Sequence, residues 1–471
     1  MLTHKKTKII ATVGPASDKE EVLEKIIMAG ADCIRLNFSH GNYEWHQSVI
    51  SNVRSLEKKL KKNIAIIADI QGPKIRVGIM PKEGANIQQG EKIVFNCDLK
   101  EYKGNEIPLP SQMFKGGVKE GDVVFLDDGT LSVKITKKLG SKFEASVLKG
   151  GFLFSNKGIN VPSIKITGSV FSDKDKSDVK FAVSHGADYL ALSFLREGKD
   201  IKEIRSLINN SQIKIIAKIE RPEALANLDG IIEEADVVMV ARGDLGIETP
   251  MWELPIRQKE IITKVREKMK QVIVATQMLD SMIRNPLPTR AEVSDVANAV
   301  YDSTDAVMLS GESASGKNPV EAVEMMRKIL EATDSNQTYS RVPEEMYDEP
   351  YIYLSKSAAD VSSELKTKAI FVKTQSGRSA KSISSFRPQN TVVAITQDEM
   401  VSRQLSLVWG VLPILIGKKS IKKIDDFVLP AVSILKKENL IKSGDSIVCV
   451  YDHKFESPNK TSANSISIKT V

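Results

Sequence analysis

IKIIAKIERPEALANLDGIIEEADVVMVARGD, residues 213–244, is the stretch on which the fold turns. Two short runs rich in β-branched residues, 213–219 and 236–241, stand on either side of a longer segment with the make-up of a helix. Strand, helix, strand in that order is the unit that builds a parallel sheet. The same alternation recurs in both directions along the chain. Further strands are expected at 9–13, 32–37, 64–69, 188–193, 271–276 and 305–309. With the first two they make eight, the number that closes a (β/α)8 TIM barrel. Between them, 19–29 carries Val22, Ile26 and Ala29 at helical spacing, and 255–270 carries Ile256, Ile261, Ile262, Val265 and Met269.

The spacing breaks once, after the third strand. There the pattern changes to short strands with glycine-centred turns, at 92–97, 122–126, 130–136 and 143–148. Asp127-Asp128-Gly129 reads as a hairpin turn. A small β domain is therefore expected in a β-α loop, at the barrel end where active sites lie. After a polar connector with Pro343 and Pro350, a second α/β pattern begins. It has helices at 353–364 and 379–386 and strands at 369–373, 391–396, 411–416 and 446–451. The expected division is a barrel over 1–71 and 158–332, an insert over 72–157, a connector over 333–350 and a C-terminal α/β domain over 351–471. The Ser/Asn/Lys-rich stretch 457–467 reads as a surface loop.

Composition excludes several classes. At roughly 150 residues per domain, 471 residues suggest about three domains. Hydrophobic content of 41% and charged content of 27% fit a globular chain rather than a disordered one. A net charge of +7 is too small to imply nucleic acid, and the 6% of aromatic residues show no basic-aromatic interleaving. Cys33, Cys97 and Cys449 are too scattered for a disulfide framework or a metal knuckle. No uncharged apolar run approaches the roughly 18 residues of a membrane span, and no signal peptide is expected. The cytoplasm is the expected compartment.

Polar residues at the C-terminal ends of barrel strands line the open mouth, and here nearly every strand ends in one. They are Arg35, Asn37, Ser39 and His40; Asp69; Lys218 and Glu220; Arg242, Gly243 and Asp244; Thr276; and Ser310 to Glu312. Lys218 and Glu220, two apart on a strand, share a face. They read as a structural ion pair or as a cation beside a metal-binding carboxylate. Asp244 on the adjacent strand end adds a second carboxylate, and two carboxylates without His or Cys suit Mg2+. Gly243 marks a tight turn or a close approach to a ligand. The guanidinium of Arg35 is suited to clamping a phosphoryl group. His40 caps local backbone or meets a ligand. Lys157, where the insert returns, is a solvated charge or a phosphate contact. No Gly-x-x-x-x-Gly-Lys-Ser/Thr loop is present, so a P-loop enzyme is disfavoured. A Mg2+-dependent lyase or aldolase acting on a 2-oxo acid is the other reading the barrel mouth allows, but it leaves the inserted lid unexplained.

Over essentially its whole length the chain resembles the pyruvate kinase family. The segments concerned are TKIIATVGPAS (7–17), IRLNFSHG (34–41), GPKIR (72–76), KIE (218–220), VARGDLGIE (240–248) and ATQML (275–279). PTRAE (288–292), SDVANAV (294–300) and MLSGE (308–312) complete them. The resemblance implies a barrel, a small β-barrel lid and a C-terminal regulatory domain. It implies phosphoryl transfer from phosphoenolpyruvate to ADP, giving pyruvate and ATP, in a homotetramer. Carried over motif by motif, Glu220 and Asp244 match the Mg2+ ligands, and Lys218 the cation facing the enolate. Gly243, Asp244 and Thr276 match the substrate-carboxylate positions, with Thr276 near the proton path. Arg35 matches the phosphoryl-contacting arginine, and Asn37, Ser39, His40, Arg76 and Lys157 the nucleotide side. Thr374, Ser376, Gly377, Arg378 and Ser379 match the effector-phosphate loop. The facing loop, 452–465, carries Lys454 and Lys460 but neither Arg nor Trp, so a phosphorylated effector other than fructose 1,6-bisphosphate is expected.

Asn37, Ser39, Asp69 and the carbonyl of Ile70 match the family's monovalent-cation ligands. The neighbouring run departs from K+-dependent members at Ile70, Gln71, Lys74 and Val77. Lys74 replaces a carboxylate, and its ammonium can supply the charge that K+ would bring. Catalysis is therefore expected not to require K+.

Overall fold

The computed structural model describes residues 5–471 except 74, 128, 163, 165–168, 210, 337–348, 418–420, 422 and 452–464. The β-branched runs form eight strands: Lys8–Val13, Cys33–Asn37, Ala65–Ile70, Tyr189–Leu192, Lys214–Ile219, Val237–Ala241, Gln271–Ala275 and Ala306–Leu309. Each pairs in parallel with the next and the last with the first, so the sheet closes. Alternation across the pleat divides their side chains between two cores. Ile10, Ile67, Tyr189, Ile216, Met239 and Met308 fill the barrel interior, whereas Ile9, Ile34, Ile66, Leu190 and Ile215 face the helices.

Helix Glu20–Ala29 buries Leu23, Ile26 and Ile27, while Val22 and Ala29 are only partly covered. Helix Leu254–Glu267 buries Ile261, Ile262 and Val265. Ile256, expected on that inner face, is 63% exposed, and Gln258 takes a buried place instead. Met269 lies beyond the helix in a left-handed conformation (φ 53°).

The insert is a seven-stranded mixed sheet with a separate two-stranded ribbon, a half-barrel around Phe95, Phe114 and Phe143. Its hairpin turns between Leu126 and Leu131, with Asp127 and Gly129 at positive φ; Asp128 lies outside the described residues. The boundary expected at 158 moves. Gly158–Asn160 pairs antiparallel with Ile75–Arg76 and Val123–Leu126 inside the lid sheet, and Val161 and Ile164 belong to the lid core. The barrel's outer core resumes at Val170.

The C-terminal sheet runs Val411–Leu415, Thr391–Thr396, Ala369–Lys373, Ser446–Tyr451, Ser465–Thr470, with only the last strand antiparallel. That strand corrects the reading of 457–467 as loop: residues 465–467 are strand, and 457–464 lie outside the described residues. The connector is also shorter than expected, because helix Pro319–Ser335 runs into it and helix Pro350–Glu364 begins at its end. The domain docks on the bottom of the barrel. Leu407 joins the barrel's interior core, Arg387 pairs with Asp305 at 3.0 Å, and Tyr189 Oη donates to the Gln404 carbonyl at 2.6 Å.

Candidate active site

Parallel closure brings the polar strand ends to one mouth. Asp69, at the end of the third strand, is the hub. Arg35 Nε donates to Asp69 Oδ2 at 2.7 Å and Arg35 Nη1 to Thr12 Oγ1 at 3.1 Å. Lys218 Nζ reaches Asp69 Oδ1 at 3.2 Å, Ser193 Oγ at 2.8 Å and Glu220 Oε1 at 2.8 Å. The second Glu220 oxygen accepts from the Phe194 amide at 2.7 Å. All five charged or hydroxyl side chains at this hub (Arg35, Asp69, Ser193, Lys218, Glu220) are buried.

Burial would lift the Asp69 pKa, but Lys218 and Arg35 outweigh it and hold the carboxyl below its usual range. Burial opposes the charge on Lys218; Asp69 and Glu220 overcome it and raise the lysine above its ordinary value. Glu220 is pushed up by burial, opposed by Lys218 and reinforced by Asp244. The hub therefore sets the Lys218 ammonium between the carboxylates of Asp69 and Glu220, with Asp244 close enough to raise Glu220 further.

Asp244 comes from the short helix Arg242–Glu248, which leaves the sixth strand directly. Arg242 is buried and ties this helix to the seventh strand end, donating to the Thr276 carbonyl at 2.7 Å and to Asp295 at 2.8 Å. Thr276 and Gln277 both take left-handed backbone (φ 70° and 53°), a strain of about 1–3 kcal/mol each. The Thr276 hydroxyl accepts from the Gly243 amide at 2.7 Å and donates to the Ala275 carbonyl at 2.6 Å, which ties the sixth and seventh strand ends together.

The strand-end rule thus gathers Arg35, Asp69, Lys218, Glu220, Gly243, Asp244 and Thr276. The nucleotide-side residues are more dispersed. Asn37 Oδ1 accepts from the Ser39 amide at 3.1 Å and His40 is exposed. Arg76 donates to the Asn156 carbonyl at 2.9 Å and Lys157 pairs with Asp127 at 2.8 Å, both within the lid. Lys74 lies outside the described residues, as do Lys454 and Lys460. In the C-terminal domain, a cavity of about 480 Å³ opens at the strand ends. Thr374 lines it with Lys373, Gln397 and Asp398, and Thr374 Oγ1 accepts from the Gly377 amide at 3.0 Å. Ser376, Gly377, Arg378 and Ser379 follow in the adjoining turn and helix rather than in its lining. Sequence reasoning passed over Ser193 and Thr12, the uncharged partners of Lys218 and Arg35. Position alone, at or near a strand end, was the available signal.

Two family models cover this architecture: "Pyruvate kinase, barrel domain" matches residues 4–323 and "Pyruvate kinase, alpha/beta domain" matches 353–468. The chain belongs to the pyruvate kinase family. It is 40% identical to a pyruvate kinase of Agrobacterium vitis over 465 residues, covering 98% of this chain and 97% of that one. It is equally similar to the pyruvate kinases of Sporosarcina psychrophila and Geobacillus stearothermophilus, at 40% identity over 94% of this chain and 77% of theirs. Family membership makes the chain a phosphotransferase and implies a divalent metal cofactor. The residues fit such an ion. Glu220 and Asp244 offer hard oxygen donors whose mutual repulsion a cation relieves. Among the described residues no cluster of three or more His, Cys, Asp and Glu competes with them.

Proposed function

We propose that the chain transfers the phosphoryl group of phosphoenolpyruvate to ADP, giving pyruvate and ATP, with Mg2+ held by Glu220 and Asp244. When bound, the ion neutralises charge on substrate oxygens. Lys218 supplies a fixed positive charge beside the oxygen that becomes the enolate. Arg35, oriented by Asp69 and Thr12, clamps the phosphoryl group; Gly243, Asp244 and Thr276 hold the substrate carboxylate. A threonine hydroxyl is a weak acid, so Thr276 relays the proton through water. Asn37, Ser39, His40, Arg76 and Lys157 serve the nucleotide from the two sides of the lid cleft. The observation that carries this reading is Lys218, kept charged between Asp69 and Glu220 at the mouth. A coupled assay tests it: ATP and pyruvate should form together from phosphoenolpyruvate and ADP, and chelation of the metal should stop both. Absence of ATP with Mg2+ present rejects the reading.

Catalysis is proposed to run without K+. Three of the family's four monovalent-cation oxygens are engaged here by protein donors: Asp69 by Arg35 and Lys218, the Ile70 carbonyl by Ser193 Oγ at 2.7 Å, and Asn37 Oδ1 by the Ser39 amide. Full activity is expected with tetramethylammonium as the sole monovalent cation, and Lys74→Glu should acquire partial K+ dependence. Strict activation of the unaltered chain by K+ rejects this.

The cavity at Thr374 is proposed to take a phosphorylated effector. An assay with phosphorylated sugars and AMP should find one that shifts the phosphoenolpyruvate saturation curve, and fructose 1,6-bisphosphate should not be it. A curve that none of them moves ends the regulatory reading. The exposed apolar side chains of Met251, Trp252 and Ile256 support self-association, proposed as a homotetramer. Among the described residues no helix is long and apolar enough to cross a membrane, and a cytoplasmic enzyme without nucleic-acid or membrane partners is proposed.

A further inference from the structure

The lid's return strand, Gly158–Asn160, is gripped twice by the barrel. Asn160 Nδ2 donates to Glu248 Oε1 at 3.0 Å in a buried contact. Four residues later, the Ile164 carbonyl accepts from Arg221 Nη2 at 2.9 Å. Both barrel residues sit next to the proposed metal carboxylates. Arg221 directly follows Glu220. Glu248 closes the helix that carries Asp244, four residues and about 6 Å of helical rise away.

The other side of the contact is equally short. Gly158–Asn160 pairs with Ile75–Arg76, placing Gly158 opposite Arg76 and Ile159 opposite Ile75. Asn160 therefore sits on the same small ribbon as Arg76 and Lys157, three residues from Lys157. Backbone pairing ties Gly158 to Arg76, and the Val77 amide donates to the Lys157 carbonyl at 2.9 Å, so Asn160 is placed to set where both lid cations stand relative to Glu220 and Asp244.

Glu248 is only 7% exposed, yet among the described residues its Oε2 has no hydrogen-bonding partner. Beside it lies a cavity of about 20 Å³, where the polar groups of Asn160, Arg221 and Glu248 meet a mostly apolar wall that includes Ile75, Ile159 and Phe194. That is room for one water bridging the three polar groups. A buried carboxylate held by one protein donor is held less firmly than a fully paired one.

We propose that Asn160 and Glu248 are positioning residues, a latch that sets the lid's nucleotide-side cations over the carboxylate pair. This rests on the function proposed above. Since phosphoenolpyruvate is assigned to barrel residues and ADP to the lid cleft, the latch governs ADP selectively.

The test uses full-length N160D, N160A, E248Q and the double variant N160D/E248Q. N160D sets two carboxylates against each other, whereas the double variant restores one amide and one carboxylate with the donor on the opposite side. Expected results are a KM for ADP raised at least tenfold in N160D and at least threefold in N160A, with the KM for phosphoenolpyruvate within twofold. E248Q, which keeps an acceptor for Asn160, should change little. The double variant should return to within threefold of the unaltered chain. Thermal unfolding checks each variant; should N160D fail to fold, N160A decides alone. A KM for ADP within twofold in N160D and N160A, or a double variant no better than N160D, overturns the latch. Calorimetric ADP binding reads the same ranking without turnover. An unaltered chain that binds ADP but makes no ATP therefore refutes the proposed function, while the ranking of the variants still decides the latch.

Discussion

Glu220→Gln and Asp244→Asn should each lower ATP formation by at least about a thousandfold while the barrel stays folded, and Lys218→Met should lose a similar factor by a different route. The two carboxylate variants remove oxygen donors from the proposed Mg2+ site, so divalent-cation affinity falls together with turnover. Lys218→Met removes an ammonium that lies 2.8 Å from Glu220 and 3.2 Å from Asp69. Taking a positive charge away from that hub makes a bound cation more favourable. Mn2+ affinity should therefore hold or strengthen in Lys218→Met while turnover collapses. Titrating Mn2+ into all three variants and assaying ATP formation separates the two mechanisms. Normal turnover in Glu220→Gln rejects the metal assignment; weakened Mn2+ binding in Lys218→Met rejects the separate role given to the lysine.

Asp188→Ala should cost about 3–5 kcal/mol of stability, because it removes a buried carboxylate shared by two arginines rather than one member of a surface pair. Asp188 is fully buried at the foot of the fourth barrel strand. Its Oδ2 accepts from Arg54 Nη2 at 2.7 Å and from the Ile66 amide at 2.8 Å. Its Oδ1 accepts from Arg403 Nε of the C-terminal domain at 2.8 Å. The variant takes this acceptor from two guanidinium groups and a backbone amide, leaving Arg54 its contacts to Glu57 and to the Ile64 and Gly186 carbonyls, and Arg403, among the described residues, only Glu399 at 3.7 Å. Asp188→Asn retains an acceptor oxygen and should cost less. Urea unfolding midpoints with the slope held in view give both values. A loss below about 1 kcal/mol for Asp188→Ala would show that the remaining partners of Arg54 and Arg403 suffice.

What the chain reveals by itself is whatever is written locally along it. Eight apolar runs, most of them followed by charged or hydroxyl groups, announce a parallel barrel and its mouth, because strand propensity and the strand-end position need only neighbouring residues. Lys218, Glu220, Gly243, Asp244 and Thr276 were legible for that reason. The lid's true return was not. Gly158–Asn160 has three residues and its partner Ile75–Arg76 two, too short for any period to show. The final strand Ser465–Thr470 hid in a Ser-rich stretch, where pairing along Ser446–Tyr451 overrides weak local preference. Tertiary structure alone decided which charges meet. Asp69 matched a monovalent-cation position in sequence, yet closure of the barrel brings Arg35 and Lys218, 34 and 149 residues away, onto its two oxygens. Leu407, from another domain, fills the barrel interior. Contacts of that kind follow from chain closure and docking, and their strength comes from a shared low-dielectric interior that no single segment contains.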